Sequence, residues 1–401
     1  MNRTQLMQGF PPPDEGQVTL GNWRKPPFNK WAFQHVREIV PSADIPNDPT
    51  SIRELIAAPC DFSGLLIKDE GKSYGLETFL RETDTDGLVV LRGGRTIYEY
   101  YADGMIAGTP HILMSVSKSV LGLLVGILVE RGQLDLERYV TDWIPEVAQS
   151  AYAGVTLRAL IDMRAGILFD ENYLASGGPI IQYRKAQNWD PLAPGETPSD
   201  LRSFFSSLRE TDGPHNGRFH YASPNTDLMG WIIERATGER YADLVSRLLW
   251  QPMGAEHSAY ITVDRFGAPR CAGGFCATTR DLARLGLLVA GRGRYSDRQV
   301  VPSSWIEDIT KAGDPGAWDE GDFIGYFPQM PIHYRSKWYV LREDAPLLFG
   351  VGVFGQNLFI DPKNQIVIAK FSSHALPMDE RRILLTMRGV EAMRGHLTAS
   401  S

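Results

Sequence analysis

An α/β (α+β) fold is predicted, with an antiparallel sheet flanked by helices and an all-α subdomain, on three observations. First, "GLVVLRGGRTIYEYYADG" sets two β-branched and aromatic runs around Gly93-Gly94, the signature of a hairpin. Second, "LLFGVGVFGQNLFIDPKNQIVIAKFSS" carries a second strand cluster, punctuated by Asp361-Pro362 and Lys363-Asn364. Third, most runs from Ser115 to about Trp250 have helical spacing. Strands at both ends of the chain and helices between them imply a sheet assembled from the two ends. The expected division is an N-terminal arm over 1–50, an α/β domain over 51–114 and 256–401, and a mainly helical subdomain over 115–255.

Along the chain, residues 1–50 are rich in Pro and Trp and are expected to start extended and to finish in a short helix. The stretch "SVSKSVLGLLVGILVERG" is apolar on nearly every face, so its helix is expected to be buried. Residues 165–200 are expected to be loops. "SPNTDLMGWIIERATGERYADLVSRLL" reads as one helix ending near Gly238 with a second behind it. The tail has Ile383, Leu384, Met387 and Val390 at helical spacing. No internal repeat or low-complexity tract is present.

The 401 residues are 43% hydrophobic and 22% charged, which is ordinary globular composition. A net charge of −7 argues against a broad nucleic-acid surface. Cys60, Cys271 and Cys276 are odd in number and form no C-x-x-C pair, so free thiols in a reducing compartment are expected. "MNRTQLMQGFPPPDEGQ" lacks the apolar core of a secretory signal, and the longest apolar run, Val120 to Val129, is too short to span a bilayer. A soluble, cytoplasmic protein without membrane or nucleic-acid partners is the expectation.

The chemistry starts at Ser115 and Lys118. The S-x-x-K pattern alone is weak, because about one match arises by chance in a chain this long. Its setting strengthens it. Three residues is about one helical turn, which brings the amine alongside the hydroxyl. A lysine at the head of a buried helix loses hydration, which disfavours its charged form. A neutral amine can then take the serine proton. The first-turn N–H groups, free of intrahelical partners, can face a developing oxyanion. A surface lysine heading a buried helix is the competing reading.

Three more segments contribute candidates. "FHYASPNTDLMGW" places Tyr221, Ser223 and Asn225 before a helix; a phenol near an amine can relay a proton, or these are a packed Tyr beside a capping residue. Gly350, Gly352 and Gly355 sit in strand-like sequence, where either close approach of a ligand to a sheet edge or a bulge would explain them. In the first case the Val353 N–H is a second oxyanion donor. The segment 169–192 is read as a lid, with Gly177-Gly178 as hinge and Tyr173, Tyr183 and Trp189 as apolar mass. The chain has no H-E-x-x-H and no Walker sequence, and no two of its eight histidines have helical ligand spacing, so no metal or organic cofactor is expected. His220 beside Tyr221 leaves a Ser–His arrangement open.

Together "SVSK", "YASPN" and "GVGV" resemble, in order and rough spacing, the motifs of the serine β-lactamase and penicillin-binding-protein superfamily. "ERGQLDLERYVTDWIPE", "VTLRALIDMRAGI" and "GGFCATTRDLARLG" resemble its class C and esterase branch. Within it, the "LMSVSKS" stretch, the arm and "GQNLFIDP" are similar to the 6-aminohexanoate-dimer hydrolases, the nylon-oligomer amidases.

The resemblance implies a β-lactamase-like fold, Ser115 as nucleophile, Lys118 as base and Tyr221 as proton-relaying phenol. It also implies an oxyanion hole from the Ser115 and Val353 N–H groups, and aromatic lid positions at Tyr173 and Trp189. Ser223, Asn225 and Gly352 join these as substrate-binding candidates. Two departures stand out: the second motif has Ser223 where Asn is usual, with Asn225 two further on, and Gly350 replaces the cation of the third motif. Strong β-lactam turnover is therefore not expected. Arg184 also stands where a carboxylate would suit a substrate ammonium. The expected activity is hydrolysis of a small-molecule ester, with linear amides second, and a homodimer is counted among the expectations. The alternative is a penicillin-recognising sensor that acylates without turnover.

Overall fold

The computed structural model describes residues 5–399. Its main sheet has eight strands: β1 (Ile56–Ala57), β2 (Thr85–Arg92), β3 (Arg95–Tyr101), β4 (Ile332–Arg335), β5 (Trp338–Leu341), β6 (Leu347–Gly352), β7 (Gln356–Asp361) and β8 (Ile366–Ser372). Their spatial order is β4-β5-β6-β7-β8-β2-β3-β1. The N-terminal hairpin therefore docks directly on the last strand, with Ile366 opposite Arg92 and Ala369 opposite Val89. Every neighbouring pair is antiparallel except β1 with β3.

The central strands are apolar on both faces, as expected of a sheet covered on both sides. In β2, Val89 and Leu91 join one core, while Leu88 and Val90 join another. In β8, Val367, Ala369 and Phe371 divide from Ile366 and Ile368 in the same way. Five helices matter for the site: α1 (Val116–Glu130), α2 (Pro179–Ala186), α3 (Pro224–Thr237), α4 (Thr279–Ala290) and α5 (Glu380–Ala399). Helix α4 packs on one face, where a Cβ on Gly286 would lie 2.4 Å from Val367. Helix α5 covers the other with Leu385, Val390, Met393 and Leu397. Gly238 ends α3 in the left-handed conformation, at φ 71°.

Three features depart from the sequence reading. A second antiparallel sheet, of Ser42–Ile45, Ala259–Thr262, Phe275–Ala277 and His111–Ile112, was not foreseen; each of its strands is at most four residues long, too short to show an alternation. Residues 165–200 are not loop throughout, because Pro179 opens α2 immediately after Gly178, at φ 84°. The N-terminal segment is not an extended appendage. Its Trp23, Ala32, Phe33 and Val36 form an apolar cluster with Met114, Trp189 and Phe354. The division at 114/115 and 255/256 stays a proposal: helices dominate between those points, yet the largest core runs from Ala43 to Phe371 across both.

Helix α1 runs through that core with every residue from Val116 to Leu128 buried. Its two glycines permit close approach. A Cβ on Gly122 would meet the Ser336 carbonyl oxygen at 2.1 Å, and one on Gly126 would meet the Trp305 ring at 2.3 Å. The indole cannot retreat freely, because its N–H donates to the Gly122 carbonyl at 3.0 Å. Gly126→Ala is expected to destabilise the fold by about 1–3 kcal/mol through overpacking. Chemical denaturation would show this as a lowered midpoint, and an unchanged midpoint would contradict the packing described.

Candidate active site

Ser115 sits where a strained turn becomes a helix. Met114 before it has φ 45°, a left-handed conformation that a long side chain rarely adopts. The turn is held by hydrogen bonds from Val116 to Leu113 (3.1 Å), Ser117 to Met114 (3.0 Å) and Lys118 to Ser115 (3.0 Å). The Ser117 hydroxyl donates to the Met114 carbonyl at 2.6 Å and accepts from the Phe275 N–H at 3.2 Å. Met114 itself is buried among the side chains of the N-terminal segment. Packing thus fixes a backbone shape that costs on the order of 1–3 kcal/mol.

One turn into α1, the Lys118 amine donates to Ser115 Oγ at 2.8 Å and to the Ala272 carbonyl at 2.7 Å. Only 2% of the residue is exposed. Burial is the main reason its pKa is pushed down to about 7, so a large fraction is neutral at neutral pH. The amine lies 4.9 Å from the centre of the Tyr221 ring. Tyr221 and Ser115 line the same narrow recess. Burial raises the Tyr221 pKa, which keeps the phenol protonated. Stacking on Phe323 at 4.6 Å and a 2.8 Å bond from its N–H to Asp322 hold it in place.

Behind the lysine lies a network that sequence reasoning missed. Asp227, fully buried on α3, accepts from the Ala272 N–H at 2.7 Å with one oxygen. Its other oxygen takes the Arg270 guanidinium at 2.5 Å and the Tyr183 hydroxyl. Ala272, the residue whose carbonyl grips Lys118, is therefore held at its N–H by a buried ion pair. Asp227 and Arg270 are 43 residues apart, so neither periodicity nor a local motif announces them. Glu171 lies on the segment 169–192, read from the sequence as a lid. Here it accepts from the Ser223 N–H at 2.6 Å, from the Tyr173 hydroxyl at 2.8 Å and from the Ser223 hydroxyl.

The end of β6 closes on Ser115. A Cβ on Gly352 would lie 2.7 Å from the Leu113 carbonyl oxygen and 2.9 Å from the Ser115 nitrogen, so only glycine lets this strand abut the turn at Ser115. A Cβ on Gly350 would lie 2.8 Å from Ser119 Oγ and 3.3 Å from Val116 Cγ1. Strand β6 lies between β5 and β7, so the sheet-edge setting expected for these glycines is corrected: they serve helix-to-strand contact. Gly352 accordingly contacts the turn, where a substrate contact was expected. Val353 follows it and lines the cavity beside Ser115.

That cavity has a volume of ≈ 630 Å³ and is walled by Ser115, Tyr173, Trp189, Ser223 and Val353 together with Trp23, Glu171, Arg184 and Arg270. A narrow apolar recess continues past Ser115 to Tyr221, Phe323 and Tyr339. Asn225 does not join them. Its side chain accepts from the Tyr152 hydroxyl at 3.2 Å and faces Met163, so its assignment as a substrate contact is corrected. It falls in the first turn of α3 on the side turned to the helical core. His220 pairs with Asp322 at 2.9 Å and lines a separate depression, away from Ser115. A G-x-S-x-G pattern does occur, at Gly71–Gly75, but its Ser73 lies exposed on a two-stranded hairpin and not at a strand-to-helix elbow. Among the described residues no group of three or more His, Cys, Asp or Glu side chains is placed to hold a metal ion.

The beta-lactamase family profile matches residues 76–389, which includes each of these side chains except Trp23. The chain belongs to the beta-lactamase family. It is 35% identical to the 6-aminohexanoate-dimer hydrolase of Paenarthrobacter ureafaciens, over 91% of this chain and 90% of that one. It is 30% identical to Esterase EstB of Burkholderia gladioli, over 47% of this chain and 51% of the esterase. A solved Bacillus anthracis structure, provisionally named for the 6-aminohexanoate-dimer hydrolase, superposes with a TM-score of 0.87 at 27% identity, over 96% of this chain and 99% of that one. This beta-lactamase-family member is a serine hydrolase. No helix among the described residues is long and apolar enough to cross a membrane.

Removing one partner of the Arg270–Asp227 pair strands a buried charge, so Asp227→Ala is expected to destabilise the protein by about 3–5 kcal/mol. Denaturant titration measures this; a loss below about 1 kcal/mol would show that the pair carries no such load.

Proposed function

We propose that this chain hydrolyses small carboxylic esters, and linear amides of the 6-aminohexanoate-dimer type, through an acyl-enzyme on Ser115. The observation that carries this reading is the 2.8 Å contact between a buried, partly neutral Lys118 amine and the Ser115 hydroxyl. The Ser115 oxygen attacks the substrate carbonyl while Lys118 takes its proton. The N–H groups of Ser115 and Val353 hold the resulting oxyanion; each such donor is worth about 3–4 kcal/mol in hydrolases. Tyr221, beside both Lys118 and Ser115, relays the proton to the leaving oxygen or nitrogen. Loss of that group gives the acyl-enzyme. Water then adds to the ester, its proton passing to the same base, and the acid departs with Ser115 restored. Tyr173, Trp189 and Ser223 shape the cavity around the scissile group.

Esters are favoured over amides because an alkoxide leaves more readily than an amine. Free thiols at Cys60, Cys271 and Cys276 fit a reducing compartment such as the cytoplasm.

Ser115→Ala is expected to lower turnover of p-nitrophenyl acetate by about a thousandfold or more with folding retained. Undiminished turnover would overturn the assignment. Intact-mass spectrometry should find only a transient adduct on the wild-type chain; a persistent one would instead mark a sensor.

The pH profile follows from the amine. Protonated Lys118 cannot accept a proton, so kcat/KM is expected to rise with pH around the value of about 7 to which burial pushes this group. A profile flat from pH 5 to 9 would remove Lys118 as the base.

A further inference from the structure

The cavity beside Ser115 carries an excess of positive charge. Arg24, Lys25, Arg184, Lys185 and Arg270 line it, against the two carboxylates Glu171 and Asp190. Pairing accounts for part of this. Arg24 pairs with Asp190, Lys185 with Glu196, and Arg270 with Asp227. Glu171 is engaged by Ser223 and Tyr173. Lys25 and Arg184 form no ion pair among the described residues. Arg184, half-buried on α2, donates to the Tyr173 carbonyl at 2.7 Å, and Asp190 and Glu171 act on its charge only from beyond ion-pair distance.

A second, independent observation concerns hydrogen-bonding capacity. The Nε donors of Arg24 and Arg270 are buried and have no partner, although both side chains line the cavity. Buried donors without acceptors are rare and costly. With Arg24 and Arg270 held by carboxylates, Arg184 is the guanidinium on the cavity wall without an ion pair among the described residues, and a planar fork of this kind matches a carboxylate. The same cavity wall carries the apolar side chains of Trp23, Ile180, Trp189 and Leu376.

From this we infer that the cavity selects substrates in which an apolar chain ends in a carboxylate, and that Arg184 is the specificity-determining residue. The inference rests on the hydrolase reading and names the substrate class of the same site. An ammonium-ended chain of equal length is disfavoured there, because it meets like charge in a medium that screens it poorly.

The test uses the full chain and p-nitrophenyl esters of matched length. The acyl groups are hemiadipate, hexanoate and 5-(trimethylammonio)pentanoate. A parallel pair, 4-carboxyphenyl hexanoate and phenyl hexanoate, puts the carboxylate on the leaving group. In one of the two series kcat/KM for the carboxylate is expected to exceed the neutral ester by about tenfold or more, as one charge-assisted contact would give. The ammonium ester should be the poorest of its series. Arg184→Gln should collapse that ratio toward unity, mainly through KM, and Arg184→Lys should retain most of it. Added salt should lower it.

Equal rates for carboxylate and neutral esters in both series would overturn the inference while leaving the hydrolase reading intact. So would a ratio unmoved by Arg184→Gln. Absence of Ser115-dependent hydrolysis in every series would remove the hydrolase reading, and this inference with it.

Discussion

The site depends on taking one amine out of water. Lys118 reaches Ser115 at 2.8 Å because α1 is sunk in the core along its whole first two turns, and because the Ala272 carbonyl gives the amine a second acceptor. In water the ammonium would be the stable form and could accept nothing. Buried, it has a pKa pushed down to about 7, so much of it is neutral near neutral pH. An apolar helix and a proton acceptor, which look like separate features of the chain, are cause and effect.

Around that contact the fold supplies stiffness. Strand β6 reaches the turn at Ser115 only because Gly352 has no side chain, and the approach sets Val353 beside Ser115. The N-terminal segment buries Met114 in its left-handed conformation and packs on Trp189 and Phe354, so it is a wall of the site. The Asp227–Arg270 pair holds the N–H of Ala272, the residue whose carbonyl binds Lys118, and fixes an arginine that lines the cavity. A buried ion pair often contributes little net stability, and here its use is positional.

Much of this was readable from the chain. The Gly93-Gly94 hairpin, the C-terminal strands, α3 stopping at Gly238 and the C-terminal helix all carry local signals that survive folding. Other expectations failed for identifiable reasons. Asn225 lies close to the motif in sequence, but its place in the first turn of α3 aims it at Tyr152. Gly352 looked like a ligand contact and is a contact between backbone and backbone. Helix α2 was hidden because it is eight residues long and bounded by glycine and proline on one side. The second sheet was hidden because its strands are too short for a period to form.

The sequence by itself determined the strand and helix content, the S-x-x-K pair on one helical face and the apolarity that would bury it. Those properties are set by neighbours within a turn or a hairpin, so they can be read locally. Only the tertiary structure decided which distant groups meet that pair. It brought in the Ala272 carbonyl, the Asp227–Arg270 bridge, Glu171 against Ser223 and the cationic wall with Arg184. Electrostatics acts through space and not along the chain. The charge balance of a cavity is fixed only when segments far apart in sequence are packed around it.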